Sequence, residues 1–480
     1  MIKNITCPNS NTLLQAMHII NENTLGVCFI IDEFNHLKGV VTDGDIRRAI
    51  LNNKSLNSPV GTIAKNNFIF GFESDSIDLL ISKITDEISV IPIVDKKNLV
   101  VDYFTYSQKN HFPVSMPNLT GNELKYLTDA FLSSWISSTG SYLNLFENTF
   151  SRYSDCQYGV AVSNGTAALH VALLALGIGE GDEVIIPDLT FASTINAVLH
   201  ANATPVIVDI EKDTWCIDPK EIECAITSKT KAIIPVHLYG QVCDMDKIMH
   251  LAKKFKLKVV EDCAEAHGAK YANKKVGSIG DIGCFSFYGN KVLTTGEGGM
   301  CTTNSIDLDT QIRLLRDHGM SKTKRYYHEV VGYNYRMTNL QAAIGVAQLE
   351  RVDDIHKNRT SYEDLYRKIM PRSSYIFQKN IKGRQRITWL VSFLISESEN
   401  NERDDLIKIF LDKGIDARPF FYLLSDMPIY KKYSSKQSIV AKKISKCGIS
   451  LPTYESLKSL SRIETILNNI FEIQINQKSL

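Results

Sequence analysis

The chain has 480 residues, is 44% hydrophobic and 22% charged, and carries a formal net charge of +1. That length suggests two or three domains, and the near-neutral balance excludes a global field that would select nucleic acid or an anionic membrane as partner. MIKNITCPNSNTLLQ lacks the apolar core of a signal peptide, no apolar run approaches the ~20 residues of a membrane span, and the ten cysteines contain no CxxC pair, which together point to a cytoplasmic protein with free buried thiols.

From the N-terminus, TLLQAMHIINEN has helical periodicity, GVCFIID and LKGVVT read as short strands, and DGDIRRAILNN opens on acidic residues that suit a helix start. A weaker echo follows, with SIDLLISKI as helix and ISVIPIVD and NLVVDYFTY as strands. Two copies of helix–strand–strand indicate an internal duplication. GVVTDGDIRRAI resembles the first-module ending of a CBS pair. The resemblance implies that Thr42 and Asp45 bond the ribose or phosphate of an adenine nucleotide, while the same two residues equally suit a plain helix N-cap. VVDYFTY departs from the second module's pattern, so two intact nucleotide sites are not expected. Residues 1–106 are read as this small α/β CBS-pair-like domain, and 107–117, polar and Pro-containing, as a linker.

From residue 118 strands and helices alternate: YGVAVS then GTAALHVALLAL, DEVIIPD then FASTINAVLHAN, KAIIPVHLYG then MDKIMHLAKKF, LKVVEDC, GCFSFYG. That order predicts a mostly parallel sheet covered by helices over 118–355. Strands such as TWLVSFLIS joined to helices predict a smaller α+β part over 356–480.

Three features of the α/β region carry chemistry. In VSNGTAALHVALLAL a strand ends, Gly165 follows and a helix opens, which presents unpaired N–H groups and a positive dipole end to an anion; a capping role for Gly165 and Thr166 fits the same pattern. In KLKVVEDCAEAHGAKY, Glu261 and Asp262 end an apolar strand, where open α/β sheets bind ligands. A carboxylate there needs a cation or strong donors; a protonated pyridine nitrogen qualifies, and a metal or a helix cap would too. In DIGCFSFYGNKVLTTGEGGMCTT, Lys291 follows an apolar aromatic strand and precedes a Gly-rich turn, so partial burial would lower its proton affinity; an isolated Lys beside Gly is also the pattern of a surface charge. An anion cup, a strand-end Asp and a Lys in that order match the needs of pyridoxal phosphate: a phosphate site, a partner for the ring nitrogen and an amine for the aldehyde. HExxH, GxSxG and GxxxxGK[ST] are absent from the sequence, and no metal site is expected.

NGTAAL, PDLTFASTINAV, VEDCAEAHGA, GDIGCFSFYGNKVLTTGEGGM and GYNYRMTNLQAAIG are similar to the blocks of the DegT/DnrJ/EryC1/StrS sugar aminotransferases, over about 116 to the C-terminus. The resemblance implies a fold-type-I pyridoxal-phosphate transferase. It implies Lys291 bonded to the cofactor's aldehyde and Asp262 paired with its ring nitrogen. Glu265 stands near the 3-hydroxyl, Phe191 stacks on the ring, and Gly165, Thr166, Ala167 and Ser286 hold the phosphate. Asn334 matches an Asn contributed from the partner subunit, which implies a homodimer with shared active sites. A related group that removes a sugar hydroxyl carries His where this chain has Lys291, so the resemblance implies transfer of an amino group from L-glutamate to a nucleotide-linked keto sugar.

Within the family, VVEDCAEAHGAKY, YYHEVVGYNYRMTNLQAAIG and GIDARPFFYLLSDMPIY look most like the enzymes that aminate C4 of GDP-4-keto-6-deoxy-mannose to give GDP-perosamine. Enzymes for UDP-linked 4-keto sugars share nearly all these blocks and form one alternative; an enzyme regulated by nucleotide binding to the CBS-pair-like domain is another. Trp135, Ser137, His237, Tyr239 and Arg418 are the candidate substrate contacts. Ser425 stands where many relatives have His.

Overall fold

Two units make up the chain, Met1–His111 and Phe112–Leu480. The computed structural model describes residues 4–23, 25–65, 67–75, 79–80, 83–85, 88–105, 112–371, 373–396, 402–434, 436–454, 460, 463–468 and 470.

In the first unit, β1 (Thr6–Pro8), α1 (Leu13–Asn23), β2 (Val27–Ile31), β3 (Leu37–Thr42) and α2 (Asp43–Leu51) follow the expected order. Strand β1 pairs parallel with β2, and β2 antiparallel with β3. Strands β4 (Gly71–Phe72), β5 (Val90–Val94) and β6 (Val100–Thr105) repeat that parallel-then-antiparallel pattern. The duplication is therefore visible in strand pairing, although the helix expected at 76–84 lies partly outside the described residues. The two halves join where Leu37 N donates to Asn98 O at 3.0 Å, and Val27, Phe29, Leu37, Val90 and Val94 share one apolar cluster.

Of the segment read as linker, 107–111 lies outside the described residues, and from Phe112 onward the backbone is anchored. Phe112 N donates to Gly414 O at 2.6 Å, Asp416 N to Phe112 O at 2.9 Å and Thr453 N to Val114 O at 2.9 Å. Val114 N donates to Asp416 Oδ2 at 3.2 Å, and Ser115 Oγ to Asn290 O at 3.3 Å.

The second unit is built on a seven-stranded sheet. Its strands are β7 (Tyr158–Val162), β8 (Glu183–Pro187), β9 (Thr204–Val208), β10 (Thr230–Ile233), β11 (Lys258–Asp262), β12 (Ile282–Ser286) and β13 (Gly299–Thr303), in the spatial order β7-β13-β12-β11-β10-β8-β9. Strand β13 is antiparallel to both neighbours and the remaining pairs are parallel. Runs such as EVIIP and KVVED are buried almost throughout because both sheet faces are covered. Helix α3 (Gly165–Ala175) is apolar on nearly all sides and buried from Ala167 to Leu173, as expected of a helix inside a core. Helix α4 (Ser193–His200) and the long α5 (Val352–Ile369) follow later in the chain. An antiparallel sheet near the C-terminus contains β14 (Tyr375–Phe377), β15 (Val391–Ile395), β16 (Arg418–Pro419) and β17 (Gly448–Leu451), ordered β14-β15-β17-β16. It has its own core around Phe393, Phe410 and Ile449. Among the described residues no helix is long and apolar enough to cross a membrane.

Candidate active site

The turn from β7 into α3 sets one wall. Asn164 caps the helix, its Oδ1 accepting from Ala167 N at 2.8 Å. A Cβ on Gly165 would stand 2.7 Å from Ser286 Cβ, and one on Gly299 would stand 2.4 Å from Asn164 O. Glycine is thus required at both places by space, and it lets the helix start come down against Ser286. The first N–H groups of a helix have no partner within it, so this end is an anion seat. Ala167 contributes less than the family resemblance implies, since its N–H already serves the cap.

Strand β11 delivers the acid. Asp262 is 4% exposed, and burial pushes its carboxyl above the ordinary range, against the pull of the Ala264 N–H, the Thr194 hydroxyl and the Lys291 charge. Thr194, on the first turn of α4, donates to Asp262 Oδ2 at 2.9 Å, and Ala264 N donates to Oδ1 at 3.2 Å. Thr190 bonds Thr194 in turn at 3.0 Å.

The connection between β12 and β13 delivers the amine. Its ends are tied, with Phe287 N donating to Gly298 O at 2.8 Å and Thr295 N to Phe287 O at 2.9 Å. Lys291 Nζ lies 3.9 Å from Glu265 Oε1. Burial pushes the amine below its ordinary proton affinity, while Glu265 and Asp262 pull it back up. Glu265 itself is pushed up to about 7 by burial, and its Oε2 accepts from Tyr239 N at 2.8 Å.

Gly165, Thr166, Ala167, Phe191, Asp262, Glu265, Ser286 and Lys291 all line one cavity of about 660 Å³. Phe191 is 59% exposed there, an apolar ring held against Phe421 at 5.8 Å. A buried carboxylate without a bonded cation, an amine of lowered proton affinity, an open helix end and an exposed aromatic face fit pyridoxal phosphate. Phe191 would stack on its ring, Asp262 would meet its nitrogen, Lys291 its aldehyde, and the Gly165–Thr166 turn with Ser286 its phosphate.

The other expected contacts fall elsewhere. His237 and Tyr239 do not line the cavity: both are buried. His237 Nδ1 accepts from Cys243 N at 3.2 Å, which leaves the proton on Nε2 for Glu261 Oε2 at 3.1 Å. His237, Glu261 and Cys263 have ligand atoms within 4.8 Å of one another, but Glu261 also accepts from Ile279 N and Gly280 N at 2.8 and 2.7 Å. The group is a buried tether behind Asp262. Tyr239 stacks among Trp389, Phe420 and Phe421. Trp135 and Ser137 are exposed and stand outside the cavity, their carbonyls accepting from Asn339 at 2.7 and 2.6 Å. Arg418 pairs with Asp416 at 2.8 Å instead of facing the cavity. Asn334 is exposed and also outside the cavity of its own chain. Its neighbour Tyr335 does line that cavity, bonded to His170 Nδ1 at 3.0 Å.

In the first unit Thr42 and Asp45 form a reciprocal capping box at the start of α2. Asp45 Oδ1 also takes Arg48 at 2.6 Å and Lys65 at 3.0 Å. The pair serves the helix, and a nucleotide would have to displace Arg48 and Lys65 to reach the carboxylate.

Two residues of the site were missed. Thr194 sits one helical turn beyond Phe191 in a block already singled out, so its register was the available signal. Trp389 lies in TWLVSFLIS, which reads only as a strand, yet its ring faces Lys291.

Residues 117–470 match the DegT/DnrJ/EryC1/StrS aminotransferase family, and residues 1–52 match the CBS domain. The chain is 47% identical over 349 residues to a GDP-perosamine synthase of Escherichia coli O157:H7, covering 73% of this chain and 95% of the relative. It is 45% identical over 347 residues to a GDP-perosamine synthase of Caulobacter vibrioides, covering 72% and 93%. Among solved structures, the PLP form of the putative sugar aminotransferase Spr1654 from Streptococcus pneumoniae superposes with a TM-score of 0.70 at 29% identity, covering 75% of this chain and 99% of that one.

Proposed function

The chain belongs to the DegT/DnrJ/EryC1/StrS aminotransferase family, whose members use pyridoxal phosphate, and from that premise we propose that it moves the amino group of L-glutamate to C4 of GDP-4-keto-6-deoxy-mannose. The observation that carries the chemistry is that Lys291, Asp262 and the open end of α3 line one cavity. The nucleotide and sugar are supported by the relatives named GDP-perosamine synthase, which match along at least 93% of their own length.

When bound, pyridoxal phosphate supplies an aldehyde for the amine and a ring that accepts electrons from the substrate's C–H bond. Asp262 would keep a positive partner at the ring nitrogen, because a buried carboxylate is stabilised by a cation. Thr194 and Ala264 hold that carboxylate in orientation. Lys291 takes a proton from carbon at Nζ and returns it, which requires an amine that is not permanently protonated; burial provides this. Glu265, 3.9 Å away, balances the charge of the amine when it holds the proton. Phe191 would cover the ring face. The reading includes a homodimer in which Asn334 serves the neighbouring site, and its exposure outside its own cavity supports that role.

Steady-state amination of the GDP- and UDP-linked 4-keto-6-deoxy sugars, side by side with glutamate, tests the proposal. Turnover of the GDP sugar is expected to dominate; turnover of the UDP sugar alone would overturn the substrate assignment.

A further inference from the structure

Trp389 comes from the segment just before β15, far in sequence from the lysine it faces. Lys291 Nζ lies 4.3 Å from the centroid of its ring. Three hydrogen bonds fix this ring and the lysine backbone together. The indole N–H donates to Asn290 O at 2.8 Å. Arg359, buried on α5, donates to Trp389 O at 2.6 Å and to Lys291 O at 3.3 Å. Tyr239 stacks on the indole, its ring 5.8 Å away and 15° from parallel, and Trp389 is only 3% exposed. The ring is not free to swing.

A buried ammonium group needs a compensating neighbour. Glu265 at 3.9 Å balances the charge but is beyond hydrogen-bond reach, so it does not fix the amine's position. The indole face attracts a cation more strongly than other aromatic side chains do, and more so when water is excluded. The ionisable groups bearing on the amine are Glu265 and Asp262, which favour its charged form, and His267, which burial keeps neutral. Arg359 faces the backbone carbonyls rather than the amine.

We propose that Trp389 is a positioning residue for Lys291: its indole face seats the free ammonium group whenever the lysine is not bonded to the cofactor. Over one full cycle this amine would be released in the first half-reaction and recaptured only at the end of the second, at the same place. A long flexible side chain would otherwise sample several rotamers, and its proton would be offered from the wrong position. The inference rests on Lys291 as the cofactor's lysine.

Site-specific replacement of Trp389 by tryptophans of increasing fluorination keeps the ring's size and its N–H while withdrawing electron density from the face. In the cofactor-free full chain, the pH dependence of Lys291 acylation by acetic anhydride, read by mass spectrometry, reports the proton affinity of the amine. The midpoint is expected to fall stepwise along the series, by on the order of one pH unit in all. A midpoint that stays put or rises would overturn the proposal. The assay reads the amine without cofactor, so its outcome is separate from the identity of the cofactor lysine, which the absorbance of a Lys291→Ala variant tests.

Discussion

Thr194 Oγ1 donates to Asp262 Oδ2 at 2.9 Å, so the acid proposed to meet the cofactor ring is steered by the helix that follows Phe191. Asp262→Asn keeps this shape and removes the charge. Turnover is expected to fall by about 10²–10³-fold, the size typical of losing one preorganised electrostatic partner. The cofactor-free protein should respond in the opposite sense. Burial raises the Asp262 carboxyl, so its ionised form costs stability at neutral pH and Asn removes that cost. Thermal melts with and without cofactor would separate the two effects; equal destabilisation in both would contradict this account.

Glu265 is expected to give the cofactor-free protein a pH-dependent stability. Its carboxyl moves from an ordinary 4.5 to about 7 through burial. A folded state that holds its proton more tightly than the unfolded chain is favoured at low pH. The contribution is fully present below 4.5 and is lost as pH rises through about 7, amounting to about 3 kcal/mol. Melting curves from acid to neutral pH should fall for the wild type and be flatter for Glu265→Gln.

Lys291→Ala should abolish the visible absorbance of the bound cofactor's linkage to the protein and lower turnover by at least about 10²–10⁴-fold, the usual contribution of a positioned acid–base group. A band that persists unchanged would show that another lysine holds the cofactor.

Glu147 ties β7 in place and so sets the turn that presents Gly165. It accepts from Ala161 N at 2.9 Å and from Arg313 and Arg316 at 2.8 and 2.6 Å. Burial opposes its charge, but Arg316 and Arg313 outweigh it and hold the carboxyl below 4.5. Glu147→Ala would leave the largely buried Arg316 without its carboxylate, while Arg313 keeps Asp309 at 2.9 Å, at about 3 kcal/mol in urea unfolding. In the wild type this contribution is present above pH 4.5 and is lost as pH falls through the lowered value.

Phe191→Ala removes an exposed aromatic face from the cavity. Cofactor affinity, measured by equilibrium titration, should weaken about tenfold, corresponding to roughly 1.4 kcal/mol of lost stacking. An unchanged affinity would place the ring elsewhere in the cavity.

The residues legible in the sequence are those whose role follows from a local turn. Gly165, Asp262 and Lys291 each stand where a strand ends and the chain changes direction, and such places carry their own signals. Trp389 has none, because its contact is made across 99 positions to Asn290 and its own surroundings read as strand. His237 and Tyr239 follow a strand end too, but His237 is held inward by Cys243 N and Glu261, and Tyr239, in a left-handed backbone at φ 52°, is buried among aromatic rings. Asp45 shows the converse ambiguity: a pattern that fits a nucleotide contact and a helix cap is resolved only by seeing what its oxygens already hold.

The way the polypeptide enters the second unit has a mechanical consequence. Four amide donors fasten it at Phe112, Val114, Asp416 and Thr453 before Ser115 touches the carbonyl next to Lys291. Tension arriving along the preceding backbone is borne by those fasteners in shear. The clamps at Phe112 and Val114 come before Ser115 in the chain, so load from an appended module would meet them before it reached the contact beside Lys291.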